Sequence, residues 1–225
     1  ESNEDVALRG NSYDTKKGAG YSLPADFTFS VLVPAVQRAL YLTVARIVGI
    51  SAKNPLLGNL GEDTCNSVKD AYEAVADTLE RELRRAGTDT PLAKAVQIST
   101  DAATLAFACS YTFTLLRTSL QTLHWNRYIE EPIQGAERAS RGLLMKLSLE
   151  AQDVIFELLH HKMQMLLESL IFIDTVPQEL VKAPHEIVED AIQFLGVNMQ
   201  ILANLPQAAK DIAQFTCCNS ISHAI

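Results

Sequence analysis

The sequence predicts an all-α protein of six or seven helices, and three observations support this fold class. Gly and Pro together account for only eighteen of the 225 residues, about 8%, against about 12% in an average protein. Apolar residues recur every three to four positions along most of the chain, which is the spacing of one helix face. No stretch shows sustained alternation of apolar and polar residues, the pattern of a half-buried strand. Long helices joined by few turns are therefore expected.

A flexible leader and two helical bundles are predicted along the chain. Residues 1–25 contain three Gly and three Ser with almost no apolar periodicity, so they are expected to form the leader. Residues 26–130 are assigned to a first bundle. Residues 131–225 are assigned to a second bundle, incomplete at its carboxy-terminal end. The chain begins without Met and stops at Ile225 inside an apolar pattern, so we expect it to be part of a larger subunit.

Three helices are predicted in the first bundle, over about residues 34–48, 62–85 and 91–123. Pro34 fits the first turn of its helix, because the N–H that proline lacks has no helical partner there. A loop over residues 49–61 follows. The third helix is apolar over a wide arc and is expected at the centre of the bundle. Its apolar residues are Val96, Leu105, Phe107, Tyr111, Phe113, Leu116 and Leu120.

The second bundle is predicted to follow a break over residues 124–135, which contains Pro132. A long helix over about residues 136–173 comes next, and Gly142 and Ser148 could divide it into two. A further helix opens at Pro184 and ends near Leu202, before the pair Leu205-Pro206. The last helix is expected to carry its apolar face on Ile212, Phe215, Cys218 and Ile221.

The charge balance argues against nucleic acid as a partner. Nineteen basic and 27 acidic residues give a formal net charge of −8, whereas a phosphate backbone is bound by clustered Lys and Arg. The densest basic stretch is Arg81, Arg84 and Arg85, and it is interleaved with Glu80 and Glu82. It is typical of a solvated helix face, on which Glu80 pairs with Arg84 one turn away.

No secretory signal and no membrane span are predicted. Residues 1–20 are polar, unlike a secretory leader. The longest uncharged apolar run, residues 102–116, has 15 residues, whereas a bilayer core takes about 20. A cytosolic or peripheral location is therefore expected.

The four cysteines have neither metal-like nor disulfide-framework spacing. We expect buried, reduced thiols. Because Cys217 and Cys218 are neighbours, they should point to different sides of a helix.

Two short motifs carry possible chemistry, and both are weak. The sequence from His185 to Glu189 begins like the zinc-protease helix, but Glu stands where the second His is needed. Glu157 and His160 match the Glu-x-x-His step of di-iron bundles, which require that step twice, and it occurs once. A polar stripe at residues 160–162 is the simpler interpretation. Met163 and Met165 are interpreted as core filler in preference to an adaptable contact surface. No catalytic, cofactor-binding or metal-binding residue is predicted, and the chain is not expected to be an enzyme.

Four segments carry a family resemblance. Residues 27–36 read Phe-Thr-Phe-Ser-Val-Leu-Val-Pro-Ala-Val, similar to a Phe-x-Phe-Ser-x-x-Val-Pro helix entry. Residues 95–109 contain Val-Gln-Ile, then Leu105 and Ala-Cys. Residues 161–170 begin with His-Lys-Met and continue to two leucines. Residues 189–206 run from Glu-Asp-Ala-Ile-Gln-Phe-Leu to a Leu-Pro break.

In order and spacing, these segments resemble the carboxy-terminal domain of the Sec15 subunit of the exocyst, the complex that tethers secretory vesicles. The resemblance covers roughly residues 26–225. One departure is Asp174, which is followed by Thr175 where the family often has Trp. The family also continues past the position of Ile225.

The resemblance implies an elongated rod of consecutive antiparallel helical bundles, as in subunits of other tethering complexes. It implies a non-catalytic scaffold and effector domain without cofactors, which binds a GTP-loaded Rab GTPase and other exocyst subunits. Such a domain would tether secretory vesicles to the plasma membrane, with indirect or peripheral membrane contact. It would be cytoplasmic and peripheral at vesicles and exocytic sites. No short motif transfers the Rab contacts, so the interaction residues are left open.

A helical adaptor module outside vesicle traffic fits the same amphipathic pattern and stays open as the alternative. A helical enzyme or lipid-binding domain is disfavoured, because the required group of site residues is missing.

Overall fold

The fold is described by a computed structural model for residues 8–9, 28–53, 60–85, 92–122, 130–169 and 186–224. Within these ranges, six helices and one pair of two-residue strands are present. The elements are β1 (Leu8–Arg9), β2 (Thr28–Phe29), α1 (Leu32–Lys53), α2 (Leu60–Arg85), α3 (Leu92–Thr122), α4 (Glu130–Ser169), α5 (Glu186–Leu202) and α6 (Gln207–Ala224). The predicted all-α class is confirmed. The division into two bundles and the rod shape stay predictions.

The two strands were not expected from the sequence. β1 pairs antiparallel with β2, so that Leu8 lies opposite Phe29 and Arg9 opposite Thr28. β2 also contacts α3, which fixes the segment that leads into α1. The rest of the predicted leader lies outside the described residues.

Helices α1 and α3 run in the same direction, side by side. Ser30, just before α1, contacts Asp101, and two to three turns further along Gln37 contacts Thr112. Both pairs advance together along the two chains, which only parallel helices allow.

Helices α2 and α4 run opposite to α3. Tyr72 of α2 contacts Thr112 of α3. Further along α2, a glutamate pairs with a lysine at the beginning of α3. Ser99 contacts Ser148, and the end of α3 meets the beginning of α4 in the same reversed order. The first four helices therefore alternate in direction, the arrangement that short connections between successive helices produce.

Helix α3 is central, as predicted. It contacts β2 and helices α1, α2, α4 and α5. Every residue from 95 to 106 is buried or half-buried, whatever its angular position on the helix. The second half differs, because Phe107 and Tyr111 are exposed, Tyr111 by 71%. The expectation that these two aromatics belong to the core is wrong, since neighbouring helices cover that half of α3 on fewer sides.

Helix α4 begins earlier than predicted and is continuous. The predicted break over residues 124–135 is wrong for its last six residues, which are helical. Pro132 lies in the first turn, where a missing N–H removes no helical bond. Gly142 and Ser148 do not divide the helix. Gly142 faces open space, and Ser148 is buried against α3.

Helices α5 and α6 are joined by a short turn and pack on the bundle, with α5 against α3 and α4 and α6 against α4. Leu202 and Leu205 are buried in the turn, and the carbonyl of Pro206 accepts the Ala209 N–H at 2.9 Å. The predicted break at Leu205-Pro206 is confirmed.

The predicted register of the last helix is wrong. Its inward stripe is made of Ala209, Ala213 and Cys217, whereas Ile212 and Phe215 are exposed. Small side chains on the inward stripe suit close approach to α4, and the larger apolar residues are left on the outside. Which residues are buried here depends on how closely α4 approaches, and not on how large each apolar side chain is.

Candidate functional site

The Glu-x-x-His step on α4 does not form an inward-facing site. Glu157 and His160 are both exposed, while Ile155 and Leu159 fill the interior at that level. A di-iron site needs these side chains to converge on the bundle axis. His161 and Lys162 are exposed too, so the polar stripe predicted at residues 160–162 is confirmed.

The second weak motif lies only in part within the described residues. Glu186 and Glu189 are exposed at the start of α5, where acidic side chains favour the helix dipole. His185 lies outside the described residues. Over the described part of the chain, no three His, Cys, Asp or Glu side chains lie close enough together to hold a metal.

A buried carboxylate in the first half of α3 binds the segment that leads into α1. Asp101 is 3% exposed, and its Oδ1 accepts the backbone N–H of Ser30 at 2.7 Å. Its Oδ2 accepts the Ser30 hydroxyl at 2.6 Å, and Gln97 donates its amide N–H to Oδ1 at 2.9 Å. Burial raises the pKa of Asp101, against the opposing effect of the hydrogen bonds from Ser30 and Gln97.

Sequence reasoning missed the role of Asp101 because its partner is 71 positions away. The available signal was the polar run Ser99-Thr100-Asp101 inside a helix that is otherwise strongly apolar. A buried polar side chain is almost always hydrogen-bonded. Such a run therefore predicts a partner, although it does not say which one.

Three helices meet at a closed ring of hydrogen bonds. Gln37 of α1 donates its amide N–H to the Tyr72 hydroxyl oxygen of α2 at 2.9 Å. The Tyr72 and Thr112 hydroxyl oxygens are 2.9 Å apart, and Thr112 donates to Gln37 Oε1 at 3.0 Å. Burial raises the pKa of Tyr72 to about 12. The Tyr72 ring also packs near Phe113, with centroids 6.4 Å apart.

Helices α3 and α4 approach closely at a pair of serines. Ser99 donates its hydroxyl to the Ser148 carbonyl at 3.1 Å, and Ser148 donates to the Ser99 carbonyl at 3.0 Å. Both side chains are buried. The reciprocal bonds satisfy two hydroxyls that would otherwise be costly to bury. The Asp101 cluster, the three-helix hydrogen-bond ring and this serine pair all hold helices in position. None of the three leaves a polar group aimed at a ligand.

The cysteines are mostly structural. Cys65, Cys109 and Cys217 are buried, and Cys218 is exposed. The prediction that Cys217 and Cys218 point to different sides is confirmed, whereas the expectation of burial is wrong for Cys218. Burial raises the pKa of Cys65 to about 11 and that of Cys109 to about 12. Both thiols are therefore held in the protonated, unreactive form at neutral pH.

The basic stretch at the end of α2 is a solvated face, as predicted. Arg81, Arg84 and Arg85 are exposed. Arg84 pairs with Glu80 one turn before it. Glu82 also pairs with Lys94 at the start of α3. Charges of both signs alternate here, so the stretch offers no extended basic surface to a phosphate backbone.

Large apolar side chains are exposed on helices of both halves of the chain. Exposed pairs one turn apart occur on α3 (Phe107 and Tyr111), α4 (Met145 and Leu149) and α6 (Ile212 and Phe215). Phe215 is 71% exposed. Exposed apolar residues are ordinary when scattered singly, whereas neighbouring pairs are typical of surfaces that bind other proteins.

The prediction that Met163 and Met165 fill the core is right for Met163, which is buried. It is wrong for Met165, which is 49% exposed.

One helix segment, Leu32–Ile50, has the length and composition to cross a membrane. The prediction from uncharged apolar runs did not include this segment, because Arg38 and Arg46 interrupt it. In the structure its Val33, Leu40 and Val44 are buried against the bundle, and the other residues of the segment are exposed or half-buried. Bundle helices pass the same test of length and composition, so the segment is weak support for a membrane span.

Comparison with known protein families gives a match. The model of the family described as exocyst complex subunit Sec15 C-terminal matches residues 8–225. No curated protein and no solved structure matches the chain.

Proposed function

We propose that this chain, which belongs to the exocyst complex subunit Sec15 C-terminal family, is the part of its subunit that binds a GTP-loaded Rab GTPase and other exocyst subunits. The family is one of non-catalytic scaffold subunits of the exocyst. Other exocyst subunits are the partners that membership implies. In the proposed role the domain tethers secretory vesicles to the plasma membrane, and acts in the cytoplasm at vesicles and exocytic sites.

The observation that carries the proposal is the extent of the family match, which reaches from residue 8 to the last residue. It includes all six helices and both described strands. The role also agrees with the chemistry of the described residues. Several of their buried polar groups, such as Asp101, Thr112 and Ser148, contact other helices or the segment that leads into α1, while exposed apolar pairs are available to partners.

The charge of the chain supports binding to a protein on the vesicle in preference to direct membrane binding. An anionic membrane surface attracts clusters of Lys and Arg, and this chain has a net charge of −8. Because the acidic chain would not bind an anionic membrane directly, a vesicle-bound GTPase would link it to the membrane.

The test is a pull-down of purified Rab GTPases by the immobilised 225-residue chain, with each GTPase loaded with either a GTP analogue or GDP. We expect at least one Rab to bind at least tenfold more in the GTP form. Binding that ignores the nucleotide, combined with failure to bind any purified exocyst subunit, would refute the proposal. Such a result would favour the adaptor outside vesicle traffic.

Two matched surface variants identify where partners bind. Ile212→Ser with Phe215→Ser alters the exposed pair on α6, and Met145→Ser with Leu149→Ser alters the pair on α4. Both changes remove exposed apolar area and should leave the melting temperature nearly unchanged. If α6 is a contact surface, the first variant loses partner binding and the second retains it. Binding at the wild-type level by the first variant would exclude the α6 pair.

A further inference from the structure

Helix α1 has two apolar seams on opposite sides. The inward seam, at Val33, Gln37, Leu40, Val44 and Ile47, is buried or half-buried in the bundle. The opposite seam starts just before the helix and advances in steps of four and three residues. It consists of Val31, Ala35, Arg38, Leu42, Ala45 and Gly49, and all six are exposed. We call these six residues the α1 outer seam.

The α1 outer seam has the spacing of a helix–helix contact. Alternating steps of four and three residues place side chains along the line where two helices meet in a coiled coil. Val31 is 59% and Leu42 is 43% exposed. The small residues among them leave room for a second backbone, and a Cβ placed on Gly49 would meet no heavy atom within 4 Å.

The charge of α1 is opposite to that of the chain. The helix contains Arg38, Arg46 and Lys53 and no acidic residue, while the whole chain has a net charge of −8. Among the described residues, neither arginine forms an ion pair. Arg38 lies in the α1 outer seam and Arg46 beside it, both exposed. The two arginines are eight residues apart, about 12 Å along the axis.

We propose that the α1 outer seam binds an acidic amphipathic helix of another protein. Glutamates seven residues apart on such a helix are separated by about 10.5 Å on one face, which brings one near each arginine. Apolar residues of the partner would pack between Val31 and Leu42 and over the small residues. The inference goes beyond the proposed function, because it defines the chemistry of a partner at one face and holds whether or not a Rab binds.

An anionic membrane is a poorer occupant of the same face. A helix that lies in a membrane surface inserts bulky apolar residues, with Lys and Arg on its polar side. In the α1 outer seam three of six residues are Ala or Gly, and Arg38 lies within the apolar line.

The test uses a fluorescent 28-residue helical peptide with leucines along one seam and one glutamate beside it in each heptad. Binding to the 225-residue chain is measured by fluorescence anisotropy. Arg38→Glu with Arg46→Glu should weaken binding at least tenfold. Arg138→Glu with Arg141→Glu changes two exposed arginines of α4 by the same charge and should leave binding within twofold. Circular dichroism confirms that both variants are folded.

A charge-swapped peptide, with lysines in place of the glutamates, should recover binding to Arg38→Glu with Arg46→Glu. Absence of peptide binding, or equal binding to both double variants, overturns the proposal. It is also overturned if the two arginines are needed instead for binding vesicles with 30% phosphatidylserine. Loss of a concentration-dependent dimer in Arg38→Glu with Arg46→Glu, with no peptide binding, would assign the seam to a second copy of the chain.

Discussion

Removal of the Asp101 carboxylate should loosen the junction between β2 and α1. In Asp101→Ala the backbone N–H of Ser30 and the amide of Gln97 lose their acceptor. Leaving a buried donor without a partner costs about 1–3 kcal/mol. Removing a carboxylate that is unfavourably buried offsets part of that cost. We therefore expect a net loss of about 2 kcal/mol in the free energy of unfolding.

Asp101→Asn removes the negative charge but can keep the hydrogen bonds to Ser30. The amide oxygen can still accept the Ser30 N–H, and its NH2 group can donate to the Ser30 hydroxyl oxygen. We therefore expect the unfolding free energy at neutral pH to lie within about 1 kcal/mol of the wild type. A Ser30→Ala variant combined with Asp101→Ala should lose less than the sum of the single losses, because both remove the same contact.

The raised pKa of Asp101 also fixes the sign of a pH dependence. The folded chain holds the Asp101 proton more tightly than the unfolded chain, whose aspartates titrate near pH 4. Relative to Asp101→Asn, wild-type stability therefore falls as the pH rises from about 4 through the raised folded pKa. Above that pKa the difference should be constant.

The assay is urea unfolding followed by circular dichroism, at several pH values from 3.5 to 8. Asp153→Ala, which removes an exposed carboxylate of α4, is the control and should change stability by less than about 0.5 kcal/mol. The reasoning fails if Asp101→Ala costs no more than the control. It also fails if the difference between wild type and Asp101→Asn is flat over the whole pH range.

Three further outcomes are expected. Tyr72→Phe keeps the aromatic ring but removes the hydroxyl from the three-helix hydrogen-bond ring, so it should cost about 1 kcal/mol, while Tyr111→Phe on the exposed face should cost nearly nothing. Equal losses for the two variants would contradict this, and by ultraviolet titration Tyr72 should ionise at a pKa of about 12. Gly142→Ala should stabilise by about 0.5–1 kcal/mol in thermal unfolding, because open space surrounds this position within a helix; destabilisation would show a hidden contact. A thiol reagent should modify Cys218 in the folded protein and the other three cysteines only in denaturant, and rapid reaction of all four would contradict their burial.

The sequence was sufficient for most of the helices, because periodicity and turn residues are local properties. The predicted break at Leu205-Pro206 and the central place of α3 needed no knowledge of distant contacts. The start of α4 was missed because Pro132 was treated as a break, although a first turn accommodates it.

The remaining features depend on distant parts of the chain. Ala209 and Ala213 are buried in place of Ile212 and Phe215 because α6 lies close to α4, which no local pattern of hydrophobicity can indicate. Asp101 illustrates the same limit for a polar residue, since its partner is far away in sequence. The interaction residues were left open because no short motif transfers them, and an exposed apolar pair is recognisable only after burial is known.

The contact between Ser30 and Asp101 has a mechanical consequence. Ser30 directly follows β2, so tension applied to the chain from the amino-terminal side reaches this contact before it reaches α1. The hydrogen bonds transfer that tension sideways into the first half of α3, which packs against four other helices. Helix α1 would bear load only after the contact had ruptured. In the proposed tethering role, the central helix would then be the anchor for force, and α1 would remain unstrained with its outer seam intact.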